Sequence, residues 1–596
     1  MTLLSDQATP RGRYAGNIAS LLFAPLFVLL AIALGDWVLS RVVQAKNAFP
    51  GRRLFAAGLG FGAFSLGTLL IGLVVIPPAF VSWIVLIALS GLLSSRTGGL
   101  LLALRRRAAA FVKSRDWAEM LLVLIIGVLL LLNVLRAFVP PIEYDEMEYH
   151  LAAPAKYVRG GRISFIANNA YASFPANVEM LFLDAMVIRG GVVDGLALGR
   201  LINVSLGLLA ACAAGACAGA MFTKRAAMPA AAILYTWPRI NSLSHVGYVE
   251  LGLMFYVALA LLAAYQYRKA VRSENSEPRT RNSKLGTRNS KLVLLGLTCG
   301  LAAGCKYPAV LFVCVPAGVW VLATAGRKII PHALLFAAIT LGVFSPWLIR
   351  NTVNTGNPVY PLLGGVFKSP AWSARKEARW HKAHQPYDHL RPASRAVWNA
   401  VVHRYPPKMQ TAQGEKPGPY GMSLLLVVFI PLAFVGRGRA AKTGVLLALA
   451  LFCVAAWLVL THRIPRFLVP WLVPLVIVNA AGATAFSNWK IPRVALSIVL
   501  IVLAGVDAWA TIRVRAPGAE LSLFAGQHGI DEAVGALKTG STYNHDAIVF
   551  INNLPPGSRT LFYGEAQTLY CTGDAIAPTV FDENPLDEIV RTAKSA

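Results

Sequence analysis

The sequence predicts an α-helical polytopic membrane protein of about 14 spans, carrying a small α/β unit at its C-terminal end. Three observations lead there. Of 596 residues, 56% are hydrophobic and only 14% charged, against roughly 25% charged in an average soluble chain. Mean hydropathy is +0.57, and apolar runs of about 20 residues, the length that crosses a bilayer, recur along most of the chain. The basic residues, which give a formal charge of +28, fall in the short connections between these runs. That is how Lys and Arg gather on the cytoplasmic side of membrane proteins, so no nucleic-acid partner is needed to explain them.

The first candidate spans are Ile18–Val43, Leu54–Ile76, Phe80–Leu93 and Trp117–Val139. Lys46, Arg52 and Arg53 separate the first two, and Arg96, Arg105, Arg106, Arg107, Lys113 and Arg115 separate the third from the fourth. The uncharged Pro77-Pro78 connection lies between these groups. Positive-inside logic places the N-terminus outside, along with the end of the fourth span. Further along, Lys224-Arg225, the segment Arg268–Lys291 with its eight basic residues, Arg327-Lys328, Arg437–Lys442 and Lys490–Arg493 face inside. The turn around His245, the Lys306-Tyr307-Pro308 step, a long loop at 350–420 and His462–Arg466 face outside. The last span, Val494–Ile512, delivers the C-terminus outside. Parity holds if Asn177–Ile188, 12 residues long, is an interfacial or re-entrant helix. The first span is no cleaved signal peptide by its length, its Asp36 and its lack of a small-residue cleavage site.

Six of seven cysteines lie in predicted spans and Cys571 stands alone outside, so neither a disulfide framework nor a CxxC metal motif is present. The inside loop carries a near-perfect tandem copy, Thr280–Gly286 followed by Thr287–Leu292, which reads as a flexible polar linker within 268–291. The basic, Pro-rich 350–420 loop fits either a solvated loop near headgroups or a lid over a lipid-phosphate site. From Ala516 onward four basic residues meet ten acids. A helix at Asp546–Leu554 and a strand at Thr560–Tyr563 predict a small α/β unit whose acids form a solvated face.

The first outside loop (140–176) carries the chemistry. Asp145, Glu146 and Glu148 crowd together directly after a span, in Tyr144-Asp145-Glu146-Met147-Glu148-Tyr149-His150. Acids beside hydrocarbon are functional candidates, and a carboxylate there can act as general base on an acceptor hydroxyl. The same acids could instead cap an interfacial helix over Met147–Val158. Glu250, Lys306, Arg463 and Arg466 sit at other outside span ends. Each alone is an ordinary snorkelling charge. Together with Asp145 they supply a base and the cations that a lipid-phosphate leaving group would require.

The Tyr-Asp-Glu loop, Trp347-Leu348-Ile349-Arg350-Asn351 and Gly356-Asn357-Pro358-Val359-Tyr360-Pro361 resemble the C-type membrane glycosyltransferases. The likeness is to bacterial relatives of the protein O-mannosyltransferases and lipid A aminoarabinose transferases, with an RgtA/B/C/D-like domain. It runs from Trp117 to Ile512. It implies a glycosyltransferase core at 117–512, flanked by a three-span N-terminal extension (1–116) and an extracytoplasmic C-terminal domain (513–596). The resemblance further implies a polyprenyl-phosphate sugar donor, a glycan, lipid or protein acceptor, and inverting displacement in the bacterial inner membrane. By position Asp145 is the catalytic carboxylate and Glu146 its neighbour, while Glu250, Lys306, Arg466, Arg463 and His150 bind substrate. Phe174 stands before the loop proline Pro175, where several relatives carry a basic residue, which shifts the phosphate contacts to Lys306 and Arg466. Asp145 with Glu146 could hold Mg²⁺ or Mn²⁺ through oxygen ligands, although two acids alone are weak evidence for a metal. A secondary transporter and a non-catalytic envelope-assembly protein are the alternatives. No duplicated half of the kind many transporters show is visible in the chain.

Overall fold

The computed structural model describes residues 9–42, 49–114, 116–276, 285–386, 391–402, 422–513, 518–529, 532–534 and 545–594. Most of the 350–420 loop beyond residue 402 and the core of the tandem linker, 277–284, lie outside the described residues.

The chain is a multi-pass helical bundle. Among the described residues nine helices are long and apolar enough to cross a membrane, or ten if one bent pair counts as a span. Other expected crossings fall on shorter or broken pieces. The run after Lys224-Arg225 breaks at Trp237-Pro238 into Ala227–Thr236 and Pro238–Ser244, because proline removes a donor and clashes with the preceding turn. The run after Lys306 is a five-residue π-helix, Val310–Cys314, continued by Val315–Thr324. Near Leu424 there are two short 3₁₀ turns.

The N-terminal helices α1 (Pro10–Val42) and α2 (Arg52–Gly72) pack backbone to backbone. A Cβ on Gly35 would stand 1.7 Å from the Ala56 carbonyl oxygen, and one on Gly60 would stand 1.8 Å from that of Ala31. Small residues that let helix backbones touch are the usual glue where lipid offers no hydrophobic drive. Gly60→Leu is therefore expected to force α1 and α2 apart at a cost of about 3 kcal/mol. A lower melting temperature of the purified protein would check it, and an unchanged one would rule out the close crossing.

The third expected span is α3 (Ala79–Leu92), and it bends by 69° into the next helix. The basic stretch expected as a loop at 96–115 is that helix, α4 (Ser94–Ser114). Asp36 is not an idle charge in α1. It accepts from Arg52 Nη2 at 2.7 Å and from Arg96, tying α1, α2 and α4 together.

Helix α5 (Trp117–Arg136) opens on an Asp116 cap and leads into the first outside loop. That loop folds as a π-helix, Glu146–His150, and α6 (Ala152–Gly160), close to the helix expected over Met147–Val158. Helix α7 (Asn177–Ile188) buries eleven of its twelve residues. It is sunk among neighbouring helices, where backbone too short to span can be accommodated by surrounding protein. Three long helices complete the frame around the site: α8 (Val192–Met221), α11 (Glu250–Ser276) and α12 (Leu285–Ala303), with α9 (Ala227–Thr236) and α10 (Pro238–Ser244) between the first two. Next come α13 (Val315–Thr324) and α14 (Ile329–Thr355).

Near the C-terminus, His545–Asn552 is helical and β1 (Arg559–Leu561) pairs parallel with β2 (Asp574–Ile576). The acids here do not all form the expected solvated face. Glu520 is buried 3.6 Å from Arg136, and Asp582 is buried 3.1 Å from Lys376 Nζ. This segment lies on the first loop: Thr568 N donates to Met147 O at 2.9 Å, Tyr570 Oη to Pro141 O at 3.1 Å, and Arg159 Nη2 to Leu569 O at 2.8 Å.

Candidate functional site

Pro140-Pro141 cannot continue α5, so the chain leaves the helix there and re-enters as the π-helix. A π turn admits one more residue than an α turn and redirects side chains, a common device at functional sites. Here it sends two neighbouring carboxylates in different directions. Asp145 stays partly open, with a quarter of its side chain exposed. Glu146 is fully buried, accepts from Gly247 N, and lies 3.6 Å from Arg200 Nε. Arg200 in turn donates to the carbonyls of Val139 and His245, so it ties the start of the first loop and the turn before α11 to α8.

Asp145 accepts from Arg466 Nη2. Arg466 opens the 3₁₀ helix Pro465–Leu472, and its Nε also lies 3.3 Å from Glu250 Oε1. The same oxygen is 3.3 Å from Lys306 Nζ. Glu250 occupies the first turn of α11, where the helix dipole favours an anion. Lys306 follows the end of α12, which sits tightly on α7. A Cβ on Gly304 would overlap Asn177 Nδ2 at 2.2 Å, and Asn177 N donates to Gly304 O at 2.8 Å. Aromatic faces hold both cations: Arg466 lies 4.3 Å from the Tyr248 ring centre and Lys306 4.1 Å from that of Phe467.

Asp145, Glu250, Lys306 and Arg466, expected together from sequence, thus form one alternating charge cluster. The other expected residues are placed differently. Arg463 has a left-handed backbone (φ 63°) and donates to the carbonyls of Leu458 and Arg391, at 2.8 and 2.6 Å. His150 is buried with Nδ1 2.8 Å from Glu179 Oε1, and its Nε2 is enclosed with no hydrogen-bond partner. Burial, and then the charges of Lys306 and Arg466, push its pKa well below the usual imidazole range. The Asp145–Glu146 pair does not converge on a shared ion, because each carboxylate faces its own arginine. Among the described residues no group of three or more His, Cys, Asp or Glu is placed to hold a metal.

The Trp347–Asn351 motif serves as a strut, and in the Gly356–Pro361 motif Tyr360 O accepts from Tyr307 Oη at 3.2 Å. Arg350 donates to the carbonyls of Ser173 and Phe174, Asn351 Nδ2 to Ser173 O at 2.9 Å, and Trp347 Nε1 to Asn177 Oδ1 at 2.9 Å. They fix the Phe174-Pro175 turn and contribute no free cation to the cluster. Sequence reading missed Arg200, although its signal was available: a lone arginine eight residues into an apolar helix demands a buried partner.

Glu148 has a one-sided environment. It is only 4% exposed. Burial, and then the charges of Asp145, Glu565 and Asp582, raise its pKa well above the usual carboxylate range. The native state therefore binds a proton that the unfolded chain releases, and this part of the stability is lost as pH rises from about 4.3 toward the raised native value. Glu148→Gln removes that slope. Its melting temperature relative to wild type is expected to climb between about pH 5 and pH 8, and a pH-independent difference would show that Glu148 is already ionised.

Comparison with known proteins agrees with this architecture. Residues 254–473 match the family model described as a domain of unknown function (DUF8201). No curated protein sequence matches the chain. Among solved structures the chain is similar to ArnT from Cupriavidus metallidurans in the apo state, with 13% identity and a TM-score of 0.50 over 76% of this chain and 84% of that one. The same protein bound to undecaprenyl phosphate gives 14% identity and a TM-score of 0.48, over 76% and 85%. The apo oligosaccharyltransferase of Archaeoglobus fulgidus gives 14% and 0.46 over 79% of this chain, but only 65% of its own length is covered. At these identities the likeness to apo ArnT is one of fold.

Proposed function

We propose that this polytopic fold houses a glycosyltransferase that moves a sugar from a polyprenyl-phosphate donor to an envelope acceptor, a glycan, lipid or protein. The supporting observation is the convergence of Asp145, Glu250, Lys306 and Arg466 from four separate regions of the chain. The fold shared with ArnT and the resemblance of the Tyr-Asp-Glu loop point the same way.

In this reading the acceptor hydroxyl attacks the anomeric carbon from the face opposite the lipid phosphate. Its proton passes to Asp145, the partly open carboxylate, as the new C–O bond forms. The bond to the phosphate oxygen breaks and the electron pair leaves with the phosphate. Lys306 and Arg466 neutralise that developing charge, the kind of fixed electrostatic stabilisation that dominates many enzyme reactions. Glu250 holds the two cations in place before substrate arrives. Glu146 takes a positioning role through Arg200, in place of the catalytic one expected for it. His150 backs the site from the enclosed side of the first loop, and Arg463 is left out of the site.

Residues 117–512 then carry the transferase core, and the site faces the outer side of a bacterial inner membrane. The C-terminal stretch around Thr568–Tyr570 lies against the first loop, where it would bound the acceptor side. Purified protein in lipid, given a panel of polyprenyl-phosphate sugars with envelope extract as acceptor source, should transfer or release sugar from at least one donor. Ion-gradient-driven uptake with no turnover of any donor would instead establish the transporter reading.

A further inference from the structure

A second concentration of charge lies at the far end of α2. Arg52 and Arg53 begin that helix, while its last residue, Gly72, accepts from Ile163 N of the first loop at 2.6 Å. Its 21 residues, at a rise of about 1.5 Å each, separate the two ends by about 30 Å. Arg96 and Arg107 of α4 and Lys291 of α12 join the Arg52 end. Among the described residues Asp36 is the carboxylate paired with this group, and it already serves both Arg52 and Arg96. Five cations around one acid leave a surplus of four positive charges.

Two of these cations, buried Lys291 and half-buried Arg53, each have an enclosed nitrogen without an acceptor. Lys291 is 8% exposed, with its ammonium 3.2 Å from the Phe49 ring centre and no hydrogen-bond partner. Arg53 Nη1 is likewise enclosed and unpartnered. Buried cations are costly unless paired and hydrogen-bonded, so their chemistry calls for an anion.

Helix α4 indicates where that anion comes from. It has no acid in 21 residues and leaves α3 at a 69° bend, turning away from the direction of the preceding helix. Exposed Leu101, Leu104, Ala108 and Val112 follow a helical stripe, flanked by exposed Arg105 and Arg107. A basic helix with an apolar stripe is the form that lies in a headgroup layer.

We propose that this end of the molecule binds the phosphate of an anionic phospholipid headgroup, with Lys291 and Arg53 as its direct contacts and α4 lying in the same leaflet. This site is independent of the sugar-transfer chemistry.

The test uses full-length protein in neutral detergent titrated with dioleoyl-phosphatidylglycerol, dioleoyl-phosphatidylcholine or inorganic phosphate, with bound lipid counted by native mass spectrometry. Phosphatidylglycerol should bind in preference to phosphatidylcholine. The R53Q/K291Q double variant should bind it about twenty-five-fold more weakly, near fivefold per lost cation. Equal binding of the two lipids, or unchanged phosphatidylglycerol binding in the double variant, would overturn the site. Competition by inorganic phosphate at the same concentration as lipid would assign it to a soluble phosphate and overturn the lipid reading. If the double variant fails to fold, R105Q/R107Q on the exposed helix face must still weaken phosphatidylglycerol binding, and no change there overturns the proposal.

Discussion

Asp145→Asn should lower sugar transfer by about 10³-fold while leaving the protein folded. Asparagine keeps the shape of the side chain but cannot take the acceptor proton. Structurally the change is mild. Asp145 is partly solvated, and Arg466 keeps its second carboxylate, Glu250, at 3.3 Å. The melting temperature should therefore move little while the rate collapses. A kcat for the Asn variant within a few-fold of wild type would remove Asp145 from the chemistry. Glu146→Gln is the informative neighbour. It removes a fully buried charge facing Arg200, and its effect should fall on stability more than on the chemical step.

Arg466→Met should damage both rate and stability, and the two effects can be separated. Losing a cation aimed at developing phosphate charge costs about 10²–10³ in kcat. The same change leaves Glu250, fully buried with Oε2 unpartnered, with Lys306 as its remaining cation among the contacts described. Removing one partner of a buried ionic network costs roughly 3–5 kcal/mol. Neutralising the stranded acid should repair the second loss but not the first. The double variant Arg466→Met/Glu250→Gln is expected to recover much of the lost melting temperature and none of the turnover. Recovery of turnover would mean that Arg466 acts only by satisfying Glu250, and would move the phosphate contact to Lys306.

The membrane class was legible because lipid imposes one dominant rule: every crossing backbone must satisfy itself within a long apolar helix. Such helices announce themselves in composition, as at Val192–Met221 and Arg439–Leu460. The rule weakens where protein surrounds protein. Helix α7 and the Ala227–Thr236 and Pro238–Ser244 pieces are too short or broken to span alone. Their boundaries depend on neighbours that sequence spacing cannot supply. The basic run 96–115 read as a connection because charge suggested solvent, yet charge and helix coexist readily in an amphipathic element such as α4.

By itself, the sequence determined the polytopic helical class, the position of the acid cluster just beyond α5, and the set of charged residues at span ends from which the site is drawn. Those follow from hydropathy and composition, which are additive along the chain. Only the tertiary structure decided which charges meet. Arg463 and Arg466 are three residues apart, yet one spends its guanidinium on carbonyls from a left-handed backbone and the other joins Asp145 and Glu250 from a 3₁₀ turn. Asp145 and Glu146 are adjacent, yet one is partly open and the other buried against Arg200. Coulomb attraction at a few ångströms depends on where each side chain points, and that direction is set by local turns and by helices hundreds of residues away.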